Sequence, residues 1–228
     1  MHANNETGII QPVKEIGEAL SNTNVYFHID AAQTFGKLVE ELKMIKYDML
    51  SISGHKVYGP QGIGALILRK KNYMRPPVQP ITFGGEQESG LRPGTLPIAL
   101  ISGMGEAAKI AGQEFEQWNK KNLKIKQSIL KQLTKIDYVI NGDQDYCLSN
   151  TLNISFPGVD SEALMLAAKK FYALSNGSAC TSHDYASSHV LLAMDLDNKI
   201  IESALRLSWG PLTNNLNLTL MLKLINNF

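Results

Sequence analysis

The feature that most restricts what this chain can fold into is an apolar run that begins after Pro97. Ile101, Met104, Ala108, Ala111, Phe115, Trp118, Ile125, Ile129, Leu133 and Ile136 recur at steps of three, four or seven. That spacing lays one apolar stripe along a helix. Continued to Ile136, the helix would be about 58 Å long at ~1.5 Å per residue, longer than one compact domain accommodates. Two domains joined by the helix are therefore expected, with the boundary inside it. Gly103, Gly105 and Gly112 weaken the sustained seam that a coiled coil would need.

On both sides of this helix the pattern is mixed. Residues 12–20 read as a short helix with Pro12 at its start, and the Ser21-Asn22-Thr23-Asn24 turn leads into a β-rich run, 25–29, ending at about Asp30. Residues 48–53 and 63–68 are two further strands, the second following the glycine-rich turn 59–62. Alternation of this kind predicts an α/β layer architecture. Beyond the long helix, strands are expected near 138–140 and 151–156. A helix is expected over 161–171, with Leu164, Ala167, Ala168 and Phe171 as its buried stripe. A polar loop at 175–188, a strand at 204–209 and a terminal helix at 213–225 complete the pattern. The expected domains are 1–110 and 111–228.

Composition narrows the function. Of 228 residues, 44% are hydrophobic and 19% charged, enough to bury a core. Twenty-two Lys and Arg against 21 Asp and Glu leave a net charge of +1, so no global field exists to hold nucleic acid or an anionic membrane surface. No apolar stretch approaches the roughly 18 residues of a membrane span. The first residues, MHANNETG, lack the basic start and apolar middle of a signal peptide. A cytoplasmic protein without membrane or direct nucleic acid contact is the expectation. Cys147 and Cys180 lack CxxC spacing, which argues against a disulfide scaffold and a cysteine-based metal site. His28 and Asp30 would share one face of a strand, but no third ligand lies nearby, and no metal is expected.

Lys56 directly follows a strand, in Ser53-Gly54-His55-Lys56, and Asp30 and Gln33 follow the strand before it. Ligands collect at the carboxyl ends of strands in α/β sheets. A carboxylate, an amide and a lysine on one edge suit pyridoxal phosphate: the amine forms a Schiff base and the carboxylate keeps the pyridine nitrogen protonated. A lysine, with a reference pKa of about 10.4, must then lose its proton through desolvation or a cationic neighbour. From spacing alone, an ordinary solvated lysine remains the alternative. The 59–64 run has phosphate-loop composition without the Walker or dinucleotide spacing, and reads as a turn. Cys180 lies in a stretch too polar and small to be core, where a nucleophile and an inert thiol are both open readings. Cys147 reads as a buried, inert thiol.

Five stretches carry a resemblance. His2-Ala3-Asn4-Asn5-Glu6-Thr7-Gly8, His28-Ile29-Asp30-Ala31-Ala32-Gln33, Ser53-Gly54-His55-Lys56, Arg92-Pro93-Gly94-Thr95 and Gly177-Ser178-Ala179-Cys180-Thr181-Ser182 resemble, in order, the motifs of cysteine desulfurases. The likeness runs from the first residue to about Thr213. It implies an α/β fold of the aspartate aminotransferase type (pyridoxal phosphate fold type I), here a partial large domain followed by a small C-terminal domain. It implies pyridoxal 5'-phosphate held by Lys56, with Asp30 on the ring nitrogen, Gln33 on the ring hydroxyl, and Ser53 and His55 on the phosphate. Thr95 would reach the phosphate in the partner subunit of a homodimer. Asn5 and Arg206 would hold the carboxylate of L-cysteine, and Cys180 would take its sulfur as a persulfide for an acceptor protein.

Residues 173–183, 156–160 and 207–211 further resemble the desulfurases of bacterial DNA phosphorothioation more than the iron–sulfur branch. Family members carry a substantial region before the position matching Met1, including a phosphate-binding loop, an aromatic residue that stacks on the cofactor and several sheet strands. A fragment that binds cofactor weakly by itself is the corresponding expectation. Another enzyme of the same fold, such as a selenocysteine lyase or an aminotransferase, would depend on Lys56 but not on Cys180. A non-catalytic remnant would depend on neither.

Overall fold

The structure is a computed structural model and describes residues 1–177, 187–214 and 216–228. The chain divides into two compact units, one made of Met1–His2 and Gln11–Glu116, the other of Ala3–Ile10 and Gln117–Phe228.

In the first unit the order is α1 (Val13–Leu20), β1 (His28–Asp30), α2 (Val39–Met44), β2 (Met49–Ser53), β3 (Gly64–Leu68) and the first part of α3 (Ile98–Leu133). The sheet order is β1-β2-β3, with β1 parallel and β3 antiparallel to β2. Asp30 pairs with Ser51 and Ser53 with Gly64. Because side chains alternate along a strand, His28, Asp30, Ser51 and Ser53 share one face, and Ile29, Leu50 and Ile52 the other. Ile29 and Leu50 pack there with Val13, Ala31, Leu42 and Ile45. On α1, Val13 and Gly17 are buried at i and i+4, and a Cβ on Gly17 would overlap the Lys46 carbonyl oxygen.

The β1 ladder is shorter than the β-rich run predicts. Asp48 ends it: its side chain accepts from Phe27 N at 2.8 Å, and the Phe27 carbonyl accepts from Asp48 N and Met49 N. Val25 and Tyr26 are left exposed. Helix α2 was not foreseen, since six residues with one buried position, Leu42, hold too little periodicity to detect.

The second unit holds an antiparallel sheet, β4-β5-β6, formed by Val139–Ile140, Thr151–Ser155 and Ala204–Ser208. Around it lie the second part of α3 and four helices, α4 (Ser161–Ala168), α5 (His189–Ala193), α6 (Asn198–Glu202) and α7 (Thr219–Ile225). Every residue of β5 is buried. Leu152 and Ile154 face the apolar core with Ile125, Ile129 and Leu133 of α3, Leu164 of α4, Leu205 of β6 and Met221 of α7. Thr151, Asn153 and Ser155 alternate onto the other face and are buried as well.

Helix α3 follows the predicted stripe, with Met104, Ala111, Ile125, Ile129 and Leu133 buried and Ile101 exposed, and it ends three residues before Ile136. Asp160 caps α4 by accepting from Glu162 N and Ala163 N, a cap worth about 1 kcal/mol. That helix stops at Ala168, short of Phe171, whose amide turns back to the Ala168 carbonyl and whose ring is exposed. Helix α7 starts at Thr219 because Thr213, the expected start, closes a turn with Gly210 through two hydrogen bonds of 2.9 and 3.0 Å. Helices α5 and α6 were not resolved by the sequence pattern. Among the described residues no helix is long and apolar enough to cross a membrane.

Candidate active site

In the first unit, β1 and β2 are adjacent and parallel, so both carboxyl ends open on the same edge of the sheet. Asp30 ends β1 on the polar face. Its Oδ1 accepts from Ala32 N at 2.9 Å, which turns the chain sharply after the strand. Ser53 ends β2, followed by a single 3-10 turn, Gly54–Val57, that carries His55 and Lys56. Ser53 Oγ and His55 Nδ1 are 3.0 Å apart. Tyr58 closes the turn at φ 65°. Gln33 lies in the turn after Asp30 and is half-buried. Of the residues singled out from sequence, Asp30, Gln33, Ser53, His55 and Lys56 thus occupy two neighbouring strand ends and the turns that leave them. Thr95 lies exposed on the connection into α3.

The turn after Asp30 is fixed by two groups that sequence reasoning did not assign. His2 is fully buried, bonds Thr34 Oγ1 and Glu41 Oε1 at 2.9 Å each, and donates its amide to the Asp30 carbonyl at 2.8 Å. Gly36, at φ +74°, lies against the Lys56 turn: a Cβ on it would overlap Val57 Cγ2 and stand 3.0 Å from Ala111 Cβ. The next residue, Lys37, donates from Nζ to the Gln33 carbonyl at 2.8 Å. Burial, and secondarily the positive charge of Lys56, lower the Lys37 pKa from 10.5 to about 8. The sequence signal that could have found Lys37 is the lysine directly after a glycine in the turn beyond Gln33.

The Lys37 shift has a consequence for stability. The folded-state value lies below that of the unfolded chain, so the penalty is fully present below about pH 8. It is relieved as pH rises from there toward 10.5, where the unfolded chain still binds the proton that the folded state has released. Lys37→Met is expected to raise unfolding free energy at pH 7 by about 2 kcal/mol, and this advantage should vanish near pH 10.5. Urea titrations at the two pH values measure it; an equal effect at both would refute the assignment.

In the second unit, Asn5 and Arg206 are brought together. Arg206 lies on β6, donates from Nη1 to the Asn5 carbonyl at 3.0 Å, and gives its amide to the Ser175 carbonyl at 2.6 Å. Asn153, its partner across the β5–β6 ladder, donates to the Glu6 carbonyl at 3.3 Å and accepts from Asn141 at 2.7 Å. Cys147 is half-buried, its thiol donating to the Thr7 carbonyl at 3.4 Å, and burial pushes its pKa up against the opposing pull of Lys126. A thiol so placed is a poor nucleophile. Cys180 lies outside the described residues.

The donor set at the β1–β2 edge fits pyridoxal phosphate by its chemistry. An exposed carboxylate, a hydroxyl and imidazole side by side, and an amine next to a second cation match a pyridinium nitrogen, a phosphate and an aldehyde. The sheet and the turns that follow it belong to pyridoxal phosphate fold type I, of which the chain covers part. The chain belongs to the class-V aminotransferase family, which it matches over residues 1–218. It is 44% identical over 211 residues to the cysteine desulfurase IscS of Photobacterium profundum, covering 92% of this chain and 52% of that protein. Among solved structures, DndA from Streptomyces lividans superposes with a TM-score of 0.80 at 41% identity, covering 92% of this chain and 59% of that one. SspA in complex with cysteine matches at 34% identity and a TM-score of 0.72, covering 92% and 57%. The chain spans about half the length of the curated relatives it matches.

Proposed function

We propose that this chain carries the lysine, the cofactor-ring contacts and the sulfur-accepting cysteine of a cysteine desulfurase, which converts L-cysteine to L-alanine and hands sulfur to an acceptor protein. Residues 1–110 are read as the C-terminal portion of the cofactor-binding large domain and 111–228 as the small domain. The observation that carries this reading is the placement of Asp30, Ser53, His55 and Lys56 at the ends of two adjacent parallel strands, with Lys37 beside Lys56.

In this reading pyridoxal phosphate supplies the electron sink that weakens bonds at the amino acid's α- and β-carbons. Lys56 holds the cofactor covalently through its deprotonated amine, the form that this attachment requires. Asp30 holds a proton on the ring nitrogen by charge pairing, Gln33 contacts the ring hydroxyl, and Ser53 and His55 bind the phosphate. Thr95 serves the phosphate of the partner subunit in a homodimer. Arg206 offers a planar fork to the substrate carboxylate beside Asn5, its guanidinium oriented by the Asn5 carbonyl. The Cys180 thiolate attacks the sulfur of the bound cysteine: a sulfur–sulfur bond forms as the carbon–sulfur bond breaks, and the carbon takes up a proton to become alanine. The likeness to SspA in complex with cysteine supports the substrate. The near-equal identities to IscS and DndA support sulfur mobilisation as its role, with DNA phosphorothioation and iron–sulfur assembly as the two candidate destinations.

The test is the visible absorption of the chain with added pyridoxal phosphate, followed by borohydride reduction and peptide mapping. A yellow band that is lost in Lys56→Ala, with the label on Lys56, is expected. Label on other lysines only would overturn the assignment. Turnover that depends on Lys56 but persists in Cys180→Ser would point instead to another enzyme of the fold, a selenocysteine lyase if sulfide is released from L-cysteine or an aminotransferase if only the amino group is transferred.

A further inference from the structure

Two residues that face each other across the β5–β6 ladder take hold of consecutive peptide carbonyls in the turn that Gly8 N closes on the Asn4 carbonyl. Asn153 is paired with Arg206 in register. The backbone groups of both point away from the pair: the Asn153 carbonyl accepts from Asn141 N at 2.9 Å, and Arg206 N donates to the Ser175 carbonyl at 2.6 Å. They therefore form a non-hydrogen-bonded pair, in which opposed side chains share one face and stand at their closest. Arg206 Nη1 donates to the Asn5 carbonyl at 3.0 Å, and Asn153 Nδ2 donates to the Glu6 carbonyl at 3.3 Å. Asn153 is 1% exposed, and Asn141 orients its amide: Asn141 Nδ2 donates to Asn153 Oδ1 at 2.7 Å and to Ser155 Oγ at 2.8 Å. With its oxygen so engaged, the Asn153 amide presents its nitrogen to Glu6. The N–H side of the same turn is held by Asn4 Oδ1, which accepts from Glu6 N at 2.8 Å and Thr7 N at 3.0 Å.

We infer that Asn153 is a positioning residue for Arg206. Peptide units are rigid planes, so holding the Glu6 carbonyl restrains the Asn5 carbonyl one unit before it, and that carbonyl sets the direction of the guanidinium. Direction matters because a planar guanidinium matches a carboxylate in two parallel hydrogen bonds only within a narrow range of orientations. That this carboxylate is the one on L-cysteine rests on the reading given above. Asn153 spends both ends of its amide on Asn141 and Glu6, so it acts through the turn and not on a ligand.

The arginines of the chain are Arg69, Arg75, Arg92 and Arg206, few enough for each guanidinium to be followed by NMR of the whole chain labelled with heavy nitrogen at arginine. Arg206→Lys assigns the signal, which reports how fast the group rotates about its Cζ–Nη bonds. Asn153→Leu keeps the volume of the side chain, and Asn153→Thr suits a strand but is too short to reach Glu6. Each should speed the Arg206 rotation about tenfold, the scale of one lost hydrogen bond. Ile154→Val trims the opposite face of the same strand and should leave the rotation within about threefold of the parent. An unchanged Arg206 signal in the folded Asn153 variants, or an equal change in Ile154→Val, would overturn the inference. With cofactor bound, Asn153→Thr should also raise KM for L-cysteine about tenfold and hold kcat within about threefold, as when binding common to ground and transition states is lost. Faster Arg206 rotation with an unchanged KM, or a parent that does not turn over L-cysteine, would count against the desulfurase reading alone, and the NMR signal would still decide the role of Asn153.

Discussion

Phe156→Ala should lower the unfolding free energy of the second unit by about 3–5 kcal/mol. Phe156 is 1% exposed and follows β5 directly, in the cluster of Leu152, Ile154, Leu164 and Leu205. Its amide donates to the Ser203 carbonyl at 3.2 Å, so the backbone is held and the neighbours cannot collapse into the space that the ring leaves. The cost is the lost transfer energy of the ring together with a cavity that remains open. Against a typical domain stability of about 5–15 kcal/mol, such a loss is a large fraction of the whole. Urea titration followed by tryptophan fluorescence measures it, and Trp209, buried with its indole N–H on the Asn122 carbonyl, reports from the same core. A lower midpoint with an unchanged slope is expected. A loss below about 1 kcal/mol would mean that this cluster is loosely packed.

Gly36→Ala should cost the first unit about 2–4 kcal/mol and impair capture of pyridoxal phosphate. Two separate penalties combine. At φ +74° an L-residue is strained, and the added methyl would overlap Val57 Cγ2. Relief requires the Gly36 turn and the Gly54–Val57 turn to part, which moves Lys37 away from Lys56. The companion variant Val57→Ala separates the two penalties. Combined with Gly36→Ala, it should recover the part due to overlap and leave the backbone strain, giving a double variant more stable than the sum of the singles. Additive losses would show that the two turns do not press on each other.

Much of this fold can be read from residue spacing. The α3 stripe repeats over ten turns, so local irregularities do not hide it, and β2, β5 and β6 are short runs that alternate apolar and polar residues. The face shared by His28 and Asp30 follows from strand alternation alone. Short elements were lost: α2, α5 and α6 have five or six residues each, fewer than two turns, and no period is measurable in so few positions. Phe171 misled because an aromatic residue at helical spacing reads as core, whereas the chain leaves the helix before reaching it. At the site, strand-end residues were visible because the chemistry they suit depends on local order along the chain. The hydrogen bonds of Glu6 were not: Ser188 lies 182 positions away and Asn153 lies 147, so those contacts exist only after folding. Lys37 depends likewise on the Lys56 turn, which a positive-φ glycine brings against it.

The short stretch Ala3–Ile10 belongs to the second unit although it precedes all of the first but two residues. The second unit is therefore discontinuous along the gene, and no single cut releases it whole. A product beginning at Gln117 would keep β5, β6 and Arg206 but lose the Asn5 carbonyl that orients the guanidinium and the Glu6 carboxylate that accepts from the Ser188 hydroxyl. Recombination or truncation at α3 would separate parts that only function as one. A circularly permuted chain that places residues 3–10 after Phe228 is the arrangement in which this unit could be inherited as a contiguous module.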